Sequence, residues 1–251
     1  MSITLLIYIY VFIIGNVVGS FLNVCIYRIP RGESVVSPPS HCPNCGYKIR
    51  WYDNIPIISY FLLLRGRCRQ CKNKISIRYP IVEILTGFIW LSIFVRYQIS
   101  IDSLNYIIMA TILIVISYID INEYYIPNRL SFMLFILGIL TSFIPGGITP
   151  EQSFVGAAVY GLPFLIIYIF GEEVLKKEIM GFGDVKLGMG IGAFVGYSSY
   201  LKFHIFFTTA FVLGAIISLL LIILKIKDRK SLIPFGPFIS IAGFITALFL
   251  K

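Results

Sequence analysis

The stretch "MGFGDVKLGMGIGAFVG" (residues 180–196) joins one acidic residue to a run of glycine and apolar residues. Asp184, Gly188, Gly192 and Gly196 recur at every fourth position, which places them on one face of an α-helix. A face of bare backbone lets a neighbouring helix approach closely, so packing alone would account for the glycines. The same face carries a carboxyl group, whose role depends on where the helix lies.

The composition places this helix in a membrane. Of the 251 residues, 58% are hydrophobic and 13% are charged, and the mean hydropathy is +0.88. A soluble core cannot hide so much apolar surface. About 20 apolar residues span the ~30 Å hydrocarbon core of a bilayer. Apolar runs approaching that length occur at about 5–27, 81–97, 104–119, 130–144, 153–170, 185–201, 203–224 and 233–250. The sequence therefore predicts an all-α polytopic membrane protein with about eight transmembrane helices.

Lys and Arg predict the orientation of these helices, because they concentrate in cytoplasmic loops. With the N-terminus outside, 18 of the 21 Lys and Arg residues fall on the inner side. We therefore expect both termini outside. Anionic membrane lipids would be attracted to the inner face, since the net charge is +9. No basic helix or soluble domain remains to bind nucleic acid.

One loop, Arg28–Pro80, is long enough to fold by itself. We predict three parts: a first transmembrane helix (1–27), a small cytoplasmic module (28–80) and a membrane core (81–251).

Four cysteines of the module form two pairs, "CPNC" and "CRQC", separated by 22 residues. Two turns that each offer a thiolate pair can close a tetrahedral site for structural Zn²⁺ in a zinc-ribbon-like module. Gly46 follows the first pair and suits a left-handed turn. A redox-active CxxC pair is the alternative. The predicted zinc ligands are Cys42, Cys45, Cys68 and Cys71.

Three acids touch predicted helices near the inner boundary, where an ionisable group is a functional candidate. The predicted third helix runs inwards and ends at Asp120, and the sixth starts inside at Asp184. Two carboxyl groups from distant parts of the chain are therefore expected at one depth. Glu83, in the second helix, is either a partner for a buried donor or part of the same site. Polar residues of the first helix, Asn16, Ser20 and Asn23, favour hydrogen bonds between helices.

Two facing carboxyl groups in a shielded pocket cannot both ionise comfortably, so one keeps a proton and the other is a base. This arrangement activates a water against a peptide carbonyl. Gly181 and Gly183 are expected to precede the helix and to let a substrate backbone approach Asp184. Lys186 points to another face and is not expected to pair with Asp184. "IPFGPF" (233–238) is expected only to break the start of the last helix.

The chain contains "GNVVGSFLNVCIYRIPRGESVVSPPSHCPNCG", "RYPIVEILTG", "DINEYYIPN" and "GFGDVK". With the paired CxxC motifs, these resemble the type IV prepilin peptidase family, membrane aspartic proteases of the GxGD class. The likeness covers essentially the whole chain and implies that Asp120 and Asp184 are catalytic. One departure is Asn128, because many bacterial members have Pro-Asp where this chain has Pro127 and Asn128. Asp120 still matches the first acid of its motif.

The resemblance implies a protein of the bacterial plasma membrane. It would remove the short basic leader of type IV prepilins or pseudopilins at the cytoplasmic boundary. It also implies methylation of the new N-terminal residue from S-adenosylmethionine, although the sequence shows no glycine-rich nucleotide loop that would identify the cofactor site. One alternative is a peptidase without methyltransferase activity. Another is a transporter or assembly scaffold whose aspartates relay protons or ions.

Four further acids flank the aspartates in the inner loops. An acidic rim there would attract a basic leader by charge complementarity. Four solvated glutamates are the plainer interpretation. The residues concerned are Glu123, Glu172, Glu173 and Glu178.

Overall fold

The computed structural model describes residues 3–177, 179–228 and 231–249. These residues form eight α-helices and no β-strand, so the predicted all-helical fold is confirmed. The helices are α1 (Ile3–Arg28), α2 (Arg78–Tyr97), α3 (Ile101–Glu123), α4 (Asn128–Thr141), α5 (Pro150–Ile169), α6 (Phe182–Val195), α7 (Tyr200–Ile223) and α8 (Gly236–Phe249). Two π-helical segments, Ser59–Leu63 and Phe170–Leu175, add to them.

Five of the helices are long and apolar enough to cross a membrane: α1, α2, α3, α5 and α7. The other three, α4, α6 and α8, have 14 residues each. At 1.5 Å per residue they are about 21 Å long, which is shorter than the ~30 Å hydrocarbon core. The helical part of the run predicted at 185–201 is shorter, because α6 ends before Gly196, whose φ of +67° suits glycine and stops the helix.

Residues 1–98 form one compact unit, in which α1 packs on α2. Gly19 makes the contact close, since a methyl group there would lie 2.8 Å from the Cα atom of Glu83. The Asn23 side chain donates a hydrogen bond to the Tyr79 carbonyl at 3.1 Å. Asn23, one of the polar residues predicted to bond between helices, therefore links α1 to α2.

Glu83 is buried and acts as a partner for a backbone donor. Its carboxylate accepts a hydrogen bond from the Ile57 N–H at 2.8 Å and another from the Ser20 side chain. Ile57 has a φ of +64°, a conformation that β-branched residues rarely adopt. These contacts support the structural alternative for Glu83, which secures an unusual turn of the segment between α1 and α2.

Residues 99–251 form the second unit, in which α6 packs against α3, α4, α5 and α8. Ten of the 14 residues of α6 are buried. Its glycine face packs on α5, where a methyl group at Gly192 would lie 2.7 Å from the carbonyl carbon of Gly156. The prediction that the glycines admit a neighbouring helix is confirmed.

Two other helices pack on the remaining faces of α6. Gly190 contacts Leu134 of α4, and Ile191 contacts Gly243 of α8. Because α6 is held on three sides, the residues of its first turn have fixed neighbours.

Candidate active site and metal centre

Asp120 lies one turn from the end of α3 and is 5% exposed. Tyr124 closes the helix in a left-handed conformation, with its N–H donating to the Asp120 carbonyl at 3.0 Å. The Tyr124 hydroxyl accepts a hydrogen bond from Lys227 at 2.8 Å. The end of α3 is therefore held through Tyr124, which bonds to both Asp120 and Lys227.

A backbone donor holds the Asp120 side chain. The N–H of Gly236, the first residue of α8, donates to Asp120 Oδ2 at 2.9 Å. A methyl group at Gly236 would lie 2.7 Å from the same oxygen, so a side chain at this position would displace the carboxylate. The expectation that "IPFGPF" only breaks a helix missed this contact. The glycine preceding Pro237 was its only signal in the sequence.

Asp184 is the third residue of α6 and is 7% exposed. It lies in the first turn, where the unpaired backbone N–H groups and the helix dipole favour a negative charge. Asp184 interacts electrostatically with Asp120.

Ile126 lies between the two aspartate-bearing regions. A methyl group at Gly183 would lie 3.0 Å from its Cβ atom, and one at Gly236 would lie 3.2 Å from its Cδ1 atom. The structure therefore brings together residues around Asp120 and Asp184 that are 64 positions apart in the chain.

Gly181 and Gly183 differ in their surroundings. Gly181 is the exposed N-cap of α6, and a methyl group there would meet Asp184 Oδ2 at 3.6 Å, an ordinary contact. Gly183 lies inside the first turn and packs on Ile126. The expectation that both glycines precede the helix is therefore wrong for Gly183. Only Gly181 offers open backbone beside the acid.

Lys186 bonds to Asn128 and not to an aspartate. Its Nζ atom donates to the Asn128 side-chain oxygen at 2.8 Å and lies 4.7 Å from the centre of the Phe182 ring. Asn128 begins α4, so this contact ties α4 to α6 two residues after Asp184. The departure from the Pro-Asp pattern therefore keeps a hydrogen bond where an aspartate would form an ion pair.

Three of the four glutamates predicted to form an acidic rim lie in the described part of the chain. Glu123, at the end of α3, is exposed, and Glu172 is half-buried in the π-helical segment. Glu173 is exposed and forms an ion pair with Lys176 at 3.5 Å, which screens part of its charge. Glu178 lies outside the described residues.

The four predicted ligand cysteines meet at one point. Their Sγ atoms all lie within 4.8 Å of one another. The separation is 3.8 Å between Cys42 and Cys71, and 3.9 Å between Cys45 and Cys68. A tetrahedral zinc site with Zn–S bonds of 2.3 Å requires S–S separations of about 3.8 Å, whereas a disulfide requires about 2.05 Å. The donor set and its spacing fit zinc.

Each cysteine pair lies in the same type of turn. In the first, the Cys42 N–H bonds to the Tyr47 carbonyl at 2.9 Å, and in the second the Cys68 N–H bonds to Asn73 at 2.9 Å. Gly46 has a φ of +72°, as expected, and Lys72 takes the equivalent position with a φ of +59°. The second turn therefore holds a non-glycine residue in the left-handed region.

The thiols of this cluster differ in acidity. Partial burial raises the pKa of Cys68, but hydrogen bonds from the Cys71 and Gln70 backbone and from neighbouring thiols lower it to about 7. The backbone of Asn73 lowers the pKa of Cys71, whereas burial and hydrogen bonds with other thiols raise it to about 11. These thiols interact with one another, so the cluster titrates as a coupled group.

Two family models match the chain, one in each structural unit. The bacterial peptidase A24 N-terminal domain matches residues 13–97, and the type IV leader peptidase family matches residues 107–223. No solved structure matches the chain.

Several relatives share the name "Prepilin leader peptidase/N-methyltransferase". The chain is 35% identical to that of Neisseria gonorrhoeae, with 93% of this chain and 87% of the relative covered. It is 31% identical to that of Pseudomonas putida, with 94% and 88% covered. The protein of Myxococcus xanthus is 34% identical over 86% of this chain, but the match spans only 63% of that longer relative.

Proposed function

The chain belongs to the type IV leader peptidase family, and from this premise we propose that it is a membrane aspartic endopeptidase. Its substrates are type IV prepilins or pseudopilins, from which it removes the basic leader peptide. The observation that carries this proposal is the meeting of the Asp120 and Asp184 regions around Ile126 in one buried site.

The two aspartates share one proton and act as a pair. The ionised carboxylate removes a proton from a water molecule, whose oxygen attacks the carbonyl carbon of the scissile peptide. The protonated partner donates its proton to the leaving nitrogen as the C–N bond breaks, which yields a carboxylic acid and a free amine. The pair ends with one proton, as it began. Its titration belongs to both groups together.

The surrounding backbone prepares the site for this reaction. The Gly236 N–H occupies Asp120 Oδ2, which leaves Oδ1 for the water. Gly181 is open beside Asp184, so an extended peptide can lie against bare backbone there. A pilin helix in the same bilayer must unwind locally at the scissile bond, because lipid satisfies no free backbone groups.

We place this reaction at the cytoplasmic boundary of the bacterial plasma membrane, with both chain termini outside. The distribution of Lys and Arg supports this orientation. The acidic residues Glu123, Glu172, Glu173 and Glu178 then lie on the side from which the basic leader arrives.

We further propose that the enzyme methylates the new N-terminal residue with S-adenosylmethionine as the methyl donor. The names of the relatives support this second activity, and no residue is assigned to it. The four cysteines hold zinc as a closed structural site, since no coordination position is left for a substrate.

The test is to incubate the purified protein in lipid with a prepilin, with and without S-adenosylmethionine, and to measure the product masses. We expect a truncated pilin in both reactions and a methyl group only when the donor is present. A truncated but unmethylated product in both reactions would indicate a peptidase without methyltransferase activity. An intact prepilin in both would overturn the proposed function and favour a transporter or scaffold.

A further inference from the structure

A short apolar turn of the four-cysteine module is left uncovered by the described part of the chain. Four of its side chains are 47–72% exposed, although they are large and hydrophobic. Its two polar side chains face inwards, since Ser59 is buried and Tyr60 is half-buried. We name residues 58–63 the apolar turn. Its exposed members are Ile58, Phe61, Leu62 and Leu63.

Basic side chains adjoin the apolar turn. Leu63 and Leu64 line a shallow cavity of about 330 Å³ together with four basic residues of the second cysteine turn. We name these the basic knuckle: Arg65, Arg67, Arg69 and Lys72.

The charges of the basic knuckle are largely uncompensated. Arg69 binds Asp53 at 2.6 Å, and in the described part of the chain the other three have no acidic partner. The segment 28–80 carries ten Lys and Arg residues against Glu33 and Asp53 alone.

The apolar turn and the basic knuckle are parts of one hydrogen-bonded structure. The Gly66 N–H donates to the Tyr60 carbonyl at 2.9 Å, and the Ile75 N–H donates to the Gly66 carbonyl at 2.8 Å. The Tyr60 hydroxyl donates to the Ile75 carbonyl at 3.3 Å. The exposed apolar groups and the exposed charges therefore keep a fixed spacing.

We propose that the apolar turn and the basic knuckle together form a docking surface for anionic lipid headgroups. Leu and Phe side chains enter the boundary between headgroups and acyl chains, while Arg and Lys bind lipid phosphates. The module is tethered to the bilayer at both ends, by α1 and α2, so lipid is always within its reach. This surface repels a basic leader peptide. The proposed substrate is therefore not the partner that binds here.

Docking holds the four-cysteine module flat against the leaflet. Guanidinium groups bind phosphate in two-pronged fashion, and the apolar turn adds a hydrophobic anchor. The metal site then maintains the shape of a surface that binds anionic lipid. This role is separate from peptide cleavage.

The test measures how deeply a tryptophan placed in the apolar turn enters the bilayer. Leu62→Trp is introduced into full-length protein that carries Trp51→Phe and Trp90→Phe, in nanodiscs whose lipids have brominated chains. We expect strong quenching of the introduced tryptophan with phosphatidylglycerol present and weak quenching in phosphatidylcholine alone. Since each basic residue contributes on the order of 1 kcal/mol at an anionic surface, the ratio of docked to undocked protein should differ about tenfold or more.

Charge-reversal variants distinguish binding through this surface from a general attraction of the basic module to anionic lipid. Arg67→Glu with Lys72→Glu should reduce quenching in anionic nanodiscs to the level seen in phosphatidylcholine. Lys48→Glu with Arg50→Glu makes the same charge change in the first cysteine turn and should leave quenching intact. Retained zinc in every variant verifies the fold of the module. No quenching in either lipid, equal quenching in both, or equal loss in the two double variants would overturn the proposal.

Discussion

Gly236 is the residue whose role is most specific to the Asp120 side chain. Its N–H is the donor, and its lack of a side chain admits the carboxylate at this distance. A larger residue keeps the donor but moves the acid. Because catalytic groups must hold their geometry closely, a shift of about 1 Å can reduce the rate about a hundredfold.

We therefore expect Gly236→Ala to lower kcat for prepilin cleavage by about 10- to 100-fold with little change in KM. Steady-state kinetics on purified protein measures both constants. Gly243→Ala is the matched control, because it adds a methyl group to the same helix two turns away, against the Ile191 side chain. Equal kcat losses in the two variants would mean that α8 packing, and not the Asp120 contact, controls the rate.

The equivalent positions Gly46 and Lys72 should respond in opposite directions. Gly46→Ala puts a side chain into a left-handed conformation, which costs about 1–2 kcal/mol, with no neighbouring atom within 4 Å to add a clash. Lys72→Gly relieves a similar strain, offset by the ~0.5–1 kcal/mol entropy of glycine. Zinc release to a chelator during heating should begin at a lower temperature in Gly46→Ala and at a higher one in Lys72→Gly. A shift in the same direction in both would contradict the strain argument.

At the scale of elements, α6 depends on contacts with backbone that cannot move aside. Gly192 faces the backbone of Gly156, whereas Gly190 faces the flexible end of Leu134. We expect Gly192→Ala to destabilise the protein by about 1–3 kcal/mol through overpacking, and Gly190→Ala to have a smaller effect. Thermal unfolding in detergent compares them. A larger Tm loss for Gly190→Ala would show that α4, not α5, sets the position of α6.

The elements also separate what sequence could predict from what it could not. Apolar runs predicted the eight helices, and the CxxC spacing predicted the thiol cluster, because both patterns are local. The start of α6 was misjudged because glycine gives little helix signal. The bonds from Gly236 to Asp120 and from Lys186 to Asn128 join positions distant in the chain, and no local pattern encodes them.

At the scale of the whole molecule, the net positive charge repels a basic leader unless the acidic rim attracts it locally. The net charge is +9, yet the proposed leader is basic. Replacing Glu123, Glu172, Glu173 and Glu178 by Gln should raise KM for a basic leader about tenfold, since each exposed pair contributes ~0.2–1 kcal/mol. A leader without Lys and Arg is the control. The same KM increase for both leaders would eliminate charge attraction as the cause.

The most direct measurement of the central claim is prepilin cleavage by Asp120→Asn, Asp184→Asn and the double variant. If the two carboxyl groups form one acid–base pair, each single change should reduce kcat/KM by at least about a thousandfold, and the double change should add almost nothing. Bound zinc and thermal stability should stay as in the unmodified protein. Near-normal cleavage by either single variant would contradict the account.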